Sequence, residues 1–258
     1  MPRINTERYR IPSQSDLAAF AALVFDLQDR DLAAADKLVL QFHYSLTHFE
    51  DLGDGGDTSF LLQEVKPIEK GWGLYAFRLA PINNIIVEAP HPLADQTTDH
   101  VALDIYRTLK ARALLVAGAH RQANRDGSAD VAHAPESIFE SVHEGLLRQY
   151  RTTVGQPIVL QVHGFAGRKH AGYPAVVLGI GRRPSATQAA LANRLISGLT
   201  SRGVLAAACT DELYEDICGT NNVQAASAGD GTFIHIELDE SIRNSDQTLL
   251  SALEAAIQ

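Results

Sequence analysis

From residue 85 onward the chain alternates between apolar runs of strand length and longer amphipathic stretches, and this rhythm restricts the fold more than any other feature. The apolar runs are Ile85–Pro90, Ala113–Ala119, Ile158–Val162, Ala175–Ile180, Val204–Cys209 and Thr232–Leu238. Helical patterns fill Asp99–Arg112, Glu136–Tyr150, Ala186–Arg202 and the stretch from Asp246. Strands separated by helix-length crossovers pair in parallel, because the chain needs a dozen or more residues to return to the same end. The expectation is an α/β domain over residues 81–258, with a mixed, mostly parallel sheet flanked by helices.

The first eighty residues read differently. Ser15–Ala35 is rich in alanine and leucine, with Ser15 and Asp16 as capping residues, and is expected to be helical. Residues 36–50 suit either a continuation of that helix or a strand. Asp51-Leu-Gly-Asp-Gly-Gly-Asp57 is a loop, after which Ser59–Val65 and Trp72–Leu79 form a hairpin across Lys66–Gly71. Residues 1–80 are therefore expected to be a helical segment plus a β-hairpin packed on the main domain.

Composition narrows the function classes. A formal net charge of -9 argues against non-specific nucleic-acid binding, which needs a basic face to displace counterions. No apolar run approaches the roughly 18 residues of a membrane span. Leu17–Phe25 follows Arg3, Arg8 and Arg10 as a signal peptide would, but Asp16 interrupts the approach and no small-residue cleavage site follows. A surface helix is the expectation there. Cys209 and Cys218 are too few for a disulfide framework, so a reduced cytoplasmic setting is the default, with a bridge between them and export both left open.

Three of the apolar runs lead straight into a histidine: His91, His120 and His163. Ligands of open α/β sheets bind beyond the carboxyl ends of the strands, so these imidazoles are placed to converge on one crevice. His91 and Asp95 are four apart, and Pro92 favours a tight strand exit that turns both toward one point. A neutral imidazole and a carboxylate suit zinc, and His163 as a third ligand leaves the open position that a catalytic zinc needs. The plainer reading is that His91 ends a strand and Asp95 caps the next helix. His120 is a further candidate ligand, although a fourth protein ligand would close the site.

In Thr232–Leu238, alternation puts Phe233, His235, Glu237 and Asp239 on one face and Ile234, Ile236 and Leu238 on the other. Glu237 is the candidate general acid/base if that face lines the crevice; an edge strand with a wet face gives the same pattern. In the polar stretch Ala119–His133, Arg121, Asn124 and Arg125 could bind a substrate carboxylate, because a guanidinium fork matches carboxylate geometry. A solvated loop is the alternative. Gly164–Pro174 carries Arg168, Lys169 and His170, either as a basic lip for an acidic substrate or as an ordinary loop.

Taken together, Ala-Pro-His91-x-x-x-Asp95-x-x-Thr98, a strand ending in His163-Gly, and Ile236-Glu237-Leu238 with a trailing Arg243 resemble the zinc amidohydrolases related to carboxypeptidases. The resemblance is to the poly-γ-glutamate hydrolase and N-formylglutamate amidohydrolase families in particular, and it spans about residues 84–245. It implies a three-layer phosphorylase/hydrolase-like fold, one zinc ion held by His91, Asp95 and His163, and Glu237 as catalytic carboxylate. Asn221 and Asn222 fall where such families have an asparagine-containing loop. Aspartate stands at position 95 where glutamate is usual, and His120-Arg121-Gln-Ala-Asn124-Arg125 is a loose version of the families' carboxylate-binding Asn-Arg motif. The implied activity is hydrolysis of an amide bond in a small acidic or peptide-like substrate. Arg121, Arg125, Arg168 and Arg243 are candidates to stabilise the oxyanion or anchor a carboxylate, with His120 and Asn124 beside them. A zinc esterase or deacylase, or a metal-binding module without turnover, is the alternative.

Overall fold

The strand-length runs become six adjacent strands of a sheet that has nine strands among the described residues. The computed structural model describes all residues except 29–31, 52–56, 82, 154, 210–212, 220, 230 and 258. In chain order the strands are β1 (Tyr44–Asp51), β2 (Asp57–Glu64), β3 (Leu74–Arg78), β4 (Asn83–Ala89), β5 (Ala111–Val116), β6 (Ile158–Phe165), β7 (Val176–Gly179), β8 (Ala206–Ala208) and β9 (Thr232–Asp239). Their spatial order is β1-β2-β3-β5-β4-β6-β9-β7-β8. The sheet is mixed: β5, β4, β6 and β9 run parallel, as do β7 and β8, whereas β1, β2, β3 and the β3–β5 and β7–β9 pairs are antiparallel. Parallel pairing thus accounts for half of the pairs rather than most. For β1–β2 and β2–β3 the reason is a connection too short for a crossover, whereas β3 and β7 run antiparallel to partners that come much later in the chain.

The helices are α1 (Gln14–Gln28), α2 (Leu32–Gln41), α3 (Thr98–Thr108), α4 (Ile138–Thr153), α5 (Ala186–Thr200), α6 (Val223–Ala228), α7 (Glu240–Arg243) and α8 (Gln247–Ile257). They cover both faces of the sheet, making three layers. On one face, Phe20 and Leu23 of α1 and Val142 and Leu146 of α4 close over Ile86, Val159 and Phe233. On the other, Ile105 of α3, Leu195 of α5 and Leu253 of α8 close over Val87, Leu160 and Ile236. Because strand residues alternate between faces, the central strands are mainly apolar toward α3, α5 and α8, and carry Glu88, Gln161, His163, His235 and Glu237 toward α4.

Local chemistry shifts several boundaries. The first helix starts one residue earlier than expected, because Ser13, not Ser15, caps it: the Asp16 amide donates to Ser13 Oγ, and Asp16 Oδ2 accepts from the Ser13 amide at 2.8 Å. The 36–50 stretch resolves into both options, the end of α2 and then β1. The α1 helix is not peripheral, since Phe20, Leu23, Val24 and Leu27 are buried. The interior of the expected 51–57 loop lies outside the described residues. Cys209 and Cys218 form a disulfide. No described helix is long and apolar enough to cross a membrane.

An N-terminal strap ties distant segments together. The carbonyl of Pro2 accepts from the His120 amide, and the amides of Asn5 and Glu7 donate to the carbonyls of Gln122 and Ala123. Trp72 Nε1 donates to the Arg10 carbonyl at 2.6 Å. Beneath the strap, β5 stops at Val116, and Gly118 passes so close to a neighbouring turn that a Cβ there would lie 2.5 Å from the Gly73 nitrogen and 2.8 Å from the Gly71 carbonyl carbon. Backbone cannot retreat as a flexible side chain can. Gly118→Ala is therefore expected to lower unfolding free energy by about 1–3 kcal/mol, the usual cost of overpacking, as read by urea denaturation.

Candidate metal centre

Three parallel strands set the site. Register pairs Glu88 of β4 with Gln161 of β6, Gln161 with His235 of β9, and His163 with Glu237 one step further toward the carboxyl ends. All five side chains are buried on the α4 face. His91 lies two residues beyond β4, and a turn closed by the Asp95 amide donating to the His91 carbonyl at 2.8 Å folds Asp95 back over it.

The result is a three-atom cluster. Asp95 Oδ2 lies 3.6 Å from His91 Nδ1 and 3.5 Å from His163 Nδ1. These separations are too long for good hydrogen bonds. They are close to the roughly 3.3–3.4 Å between ligands of a tetrahedral ion with bonds of about 2.0–2.1 Å. His91 Nδ1 is buried with no hydrogen-bond partner among the described residues. The far nitrogens are held from behind: His91 Nε2 lies 2.7 Å from Asp130 Oδ1, and His163 Nε2 lies 2.8 Å from Gln161 Oε1. A ligating imidazole needs this kind of support to fix its tautomer and ring plane. Oxygen and nitrogen donors in this arrangement suit a metal ion, and the same three residues form one of the potential metal-holding groups of the protein.

The Asp95 side chain does not cap the helix that follows. Thr97, in the left-handed region, stands at the cap position of α3, and Asp95 instead gives its backbone carbonyl to the Thr98 hydroxyl at 2.8 Å. Arg243 braces the same corner, its Nη1 donating to the Gln96 carbonyl at 2.9 Å and its Nη2 to the Phe165 carbonyl at 3.3 Å. The guanidinium lies over Gly164, where a Cβ would come within 2.5 Å of Nη1.

Glu237 stands beside His163 in the register, Oε1 3.1 Å from His235 Nε2, with Oε2 buried and without a partner among the described residues. Burial pushes its pKa up, against the opposing pull of His235. Burial pushes the Asp95 pKa up, but the polar and charge interactions with the nearby His163 and His91 rings outweigh this and hold it well below the usual carboxylate range. His163 is driven well down by burial and by His235. For His91, burial pulls downward, and the two aspartates more than offset it, leaving the pKa raised.

The loop after β5 distributes its polar residues among different tasks. Arg121 Nη2 pairs with Asp130 Oδ2 at 2.8 Å, while Asp130 Oδ1 also contacts His133 Nδ1 at 3.0 Å. Burial pushes the Asp130 pKa up, but its histidine and arginine partners outweigh it and hold the carboxyl down. His120 is half-exposed at the rim, its Nδ1 accepting from the Gln122 amide at 3.0 Å, its pKa lowered by burial, Arg121 and His91. Asn124 is buried against the strap, accepting from the Tyr9 amide and donating to the Tyr9 carbonyl at 2.9 Å. Arg125 is exposed and lies 3.5 Å from Glu7. Arg168 is exposed on the 3-10 turn Gly167–Lys169.

Sequence reasoning missed Asp130, Gln161, Glu88 and His143. The last two form a fully buried pair, His143 Nδ1 to Glu88 Oε1 at 2.6 Å. Burial lowers the His143 pKa, and Glu88 more than offsets it, so the net shift is upward. The available signal was a glutamate and a glutamine inside otherwise apolar strands, at Ile-Ile-Val-Glu88-Ala and Val-Leu-Gln161-Val.

No family model matches the sequence, and no curated protein matches it. Solved structures similar to the chain include a bacteriophage poly-gamma-glutamate hydrolase, at 14% identity and TM-score 0.44 over 67% of this chain and 80% of that one. N-formylglutamate amidohydrolase from Ralstonia eutropha JMP134 is similar at 13% identity and TM-score 0.49, over 69% of this chain and 94% of that one. A metallo-carboxypeptidase from Burkholderia cenocepacia is similar at 14% identity and TM-score 0.40, over 97% of this chain and 69% of that one.

The shifts predict how stability follows pH in metal-free protein. His163 is lowered, so below its ordinary value of about 6.5 the unfolded chain takes a proton that the folded chain refuses, and stability falls with pH. His91 and His143 are raised, so their contribution is complete below about 6.5 and is lost as pH rises through their folded values. Urea denaturation across pH 4.5 to 9 should show stability declining on the alkaline side as His91 and His143 lose their protons, and a curve rising steadily to pH 9 would contradict the assignment.

Proposed function

We propose that the protein is a zinc-dependent hydrolase that cleaves an amide bond, with Glu237 as general base and acid. The observation that carries this reading is the convergence of His91 Nδ1, Asp95 Oδ2 and His163 Nδ1 beside a buried, half-partnered glutamate. One zinc ion held by these residues would lower the pKa of water toward about 7 and polarise the scissile carbonyl. Glu237 Oε2 is free to take the proton of the attacking water and return it to the departing amine nitrogen. Its raised pKa moves it toward the range where it can do both near neutrality. His235 holds Oε1 and so aims the other oxygen.

Arg121 is the best-placed cation for the oxyanion or for a substrate carboxylate, since Asp130 ties it to the His91 side of the site while leaving it half-exposed. Arg168 on its turn and Arg125, which lies 3.5 Å from Glu7, are further cations for a small acidic or peptide-like substrate, with His120 beside them as a neutral imidazole. Asn124 and Arg243 spend their polar groups on backbone and act through the shape of the site. A γ-glutamyl or N-acyl amino acid amide combines the bond and the charge this arrangement favours. The disulfide suits an oxidising compartment better than a reduced cytoplasm.

Elemental mass analysis of purified wild type should give near-stoichiometric zinc, absent from His91→Ala. Glu237→Gln should keep the metal and lose roughly 10²- to 10⁴-fold in turnover on a panel of paired γ-glutamyl and N-acyl amides and esters. Folded wild type that takes up no zinc would sink the proposal. Zinc loading without turnover of any amide would favour a binding module, and turnover of esters alone an esterase.

A further inference from the structure

The atom of His163 that faces the cluster is available only because the carboxamide of Gln161 occupies the other one. Gln161 is fully buried and has all its hydrogen-bonding groups engaged. Its Nε2 donates to Glu88 Oε2 at 2.9 Å and to Gln224 Oε1 at 3.1 Å. Its Oε1 accepts from Asn222 Nδ2 and lies 2.8 Å from His163 Nε2. A carboxylate can only accept, so Glu88 dictates which end of the amide it meets, and the amide oxygen must face the histidine. That oxygen has no proton to give, so His163 carries its own on Nε2. Nδ1 then keeps the lone pair that a metal requires.

We propose that Gln161, oriented by Glu88, is a positioning residue that sets the tautomer and ring plane of His163 and thereby the metal affinity of the site. The inference rests on the reading of His91, Asp95 and His163 as ligands. The two histidines are supported by different chemistry: His91 by the charged Asp130, His163 by a neutral amide. A carboxylate at position 161 would put a second buried negative charge against Glu88, which is costly. The amide fixes the proton without that charge. Glu88 itself is anchored from α4 by His143, so the chain of orientation runs His143, Glu88, Gln161, His163.

Two measurements separate this inference from the metal reading. In metal-free protein, long-range ¹H–¹⁵N spectra of the imidazoles, assigned with His163→Asn, should show His163 as the Nε2–H tautomer. Gln161→Met, similar in shape but without the acceptor, should populate Nδ1–H as well. Gln161→Leu, which likewise removes the acceptor, should do the same if the methionine variant does not fold. An Nδ1–H tautomer in wild type, or no change in the folded variants, would overturn the proposal. In zinc competition with a chelator, Gln161→Met should bind roughly 10- to 100-fold more weakly. The exchanged pair Glu88→Gln with Gln161→Glu, which again offers His163 an acceptor, should recover most of that loss, as a merely structural role would not. Unchanged zinc affinity in Gln161→Met would overturn the positioning role and leave the metal reading standing. Folded wild type that binds no zinc, yet shows the Gln161-dependent tautomer, would overturn the metal reading and with it the claim on affinity, leaving the tautomer control.

Discussion

The alignment of β4, β6 and β9 is the constraint from which the rest of the site follows. It lays Glu88, Gln161 and His235 in a row across the sheet and sets His163 and Glu237 one step beyond, all on a face sealed by α4. Burying such groups costs on the order of 1–3 kcal/mol apiece when they lack partners. Neighbouring elements supply partners: His143 of α4 pairs with Glu88, and Gln224 of α6 and Asn222 at its cap bond Gln161, with Glu140 of α4 holding Gln224 in turn. A slip of one residue in any of the three strands would send the polar set into the apolar layer under α3, α5 and α8. The polar network therefore specifies the register as much as it depends on it.

Around this row the site is braced from two directions. Asp130 gathers His91, His133 and Arg121 onto one carboxylate, joining a candidate ligand to a rim arginine. Arg243 joins the turn that carries Asp95 to the end of β6, where Asp95 Oδ2 also accepts from the Gly164 amide at 3.3 Å. Preorganisation of this kind keeps donor atoms near their working separation without spending binding energy to collect them.

The sequence made the central architecture legible because its signals are local. Strand-length runs divided by helical stretches announce parallel pairing, and period-two alternation separates Glu237 and His235 from Ile236. The same locality explains what it hid. Ser13 caps α1 through Asp16, three residues on, and was passed over for a closer serine. His120 follows an apolar run, yet β5 stops at Val116, since close backbone passage at Gly118 ends the pairing. Asn124 carries a substrate-binding chemistry, and only the fold reveals that it is taken up by Tyr9, 115 residues away. Gln161 and Glu88 were visible as polar letters in apolar words. Their meaning came from being opposite each other on adjacent strands, which one chain read in order does not display.

The N-terminal strap has a kinetic meaning. Residues 2–10 hold the 120–124 segment by hydrogen bonds that close loops of more than a hundred residues. Contacts of such long range form only after the intervening chain has been gathered in, at a loop-closure cost that local helices do not bear. The segment leading to Asp130 is thus among the last parts of the molecule to gain its final support. During synthesis the strap emerges well before its partners at 120–124, so the outer support of His91 can form only after the hundred-odd residues between them have followed.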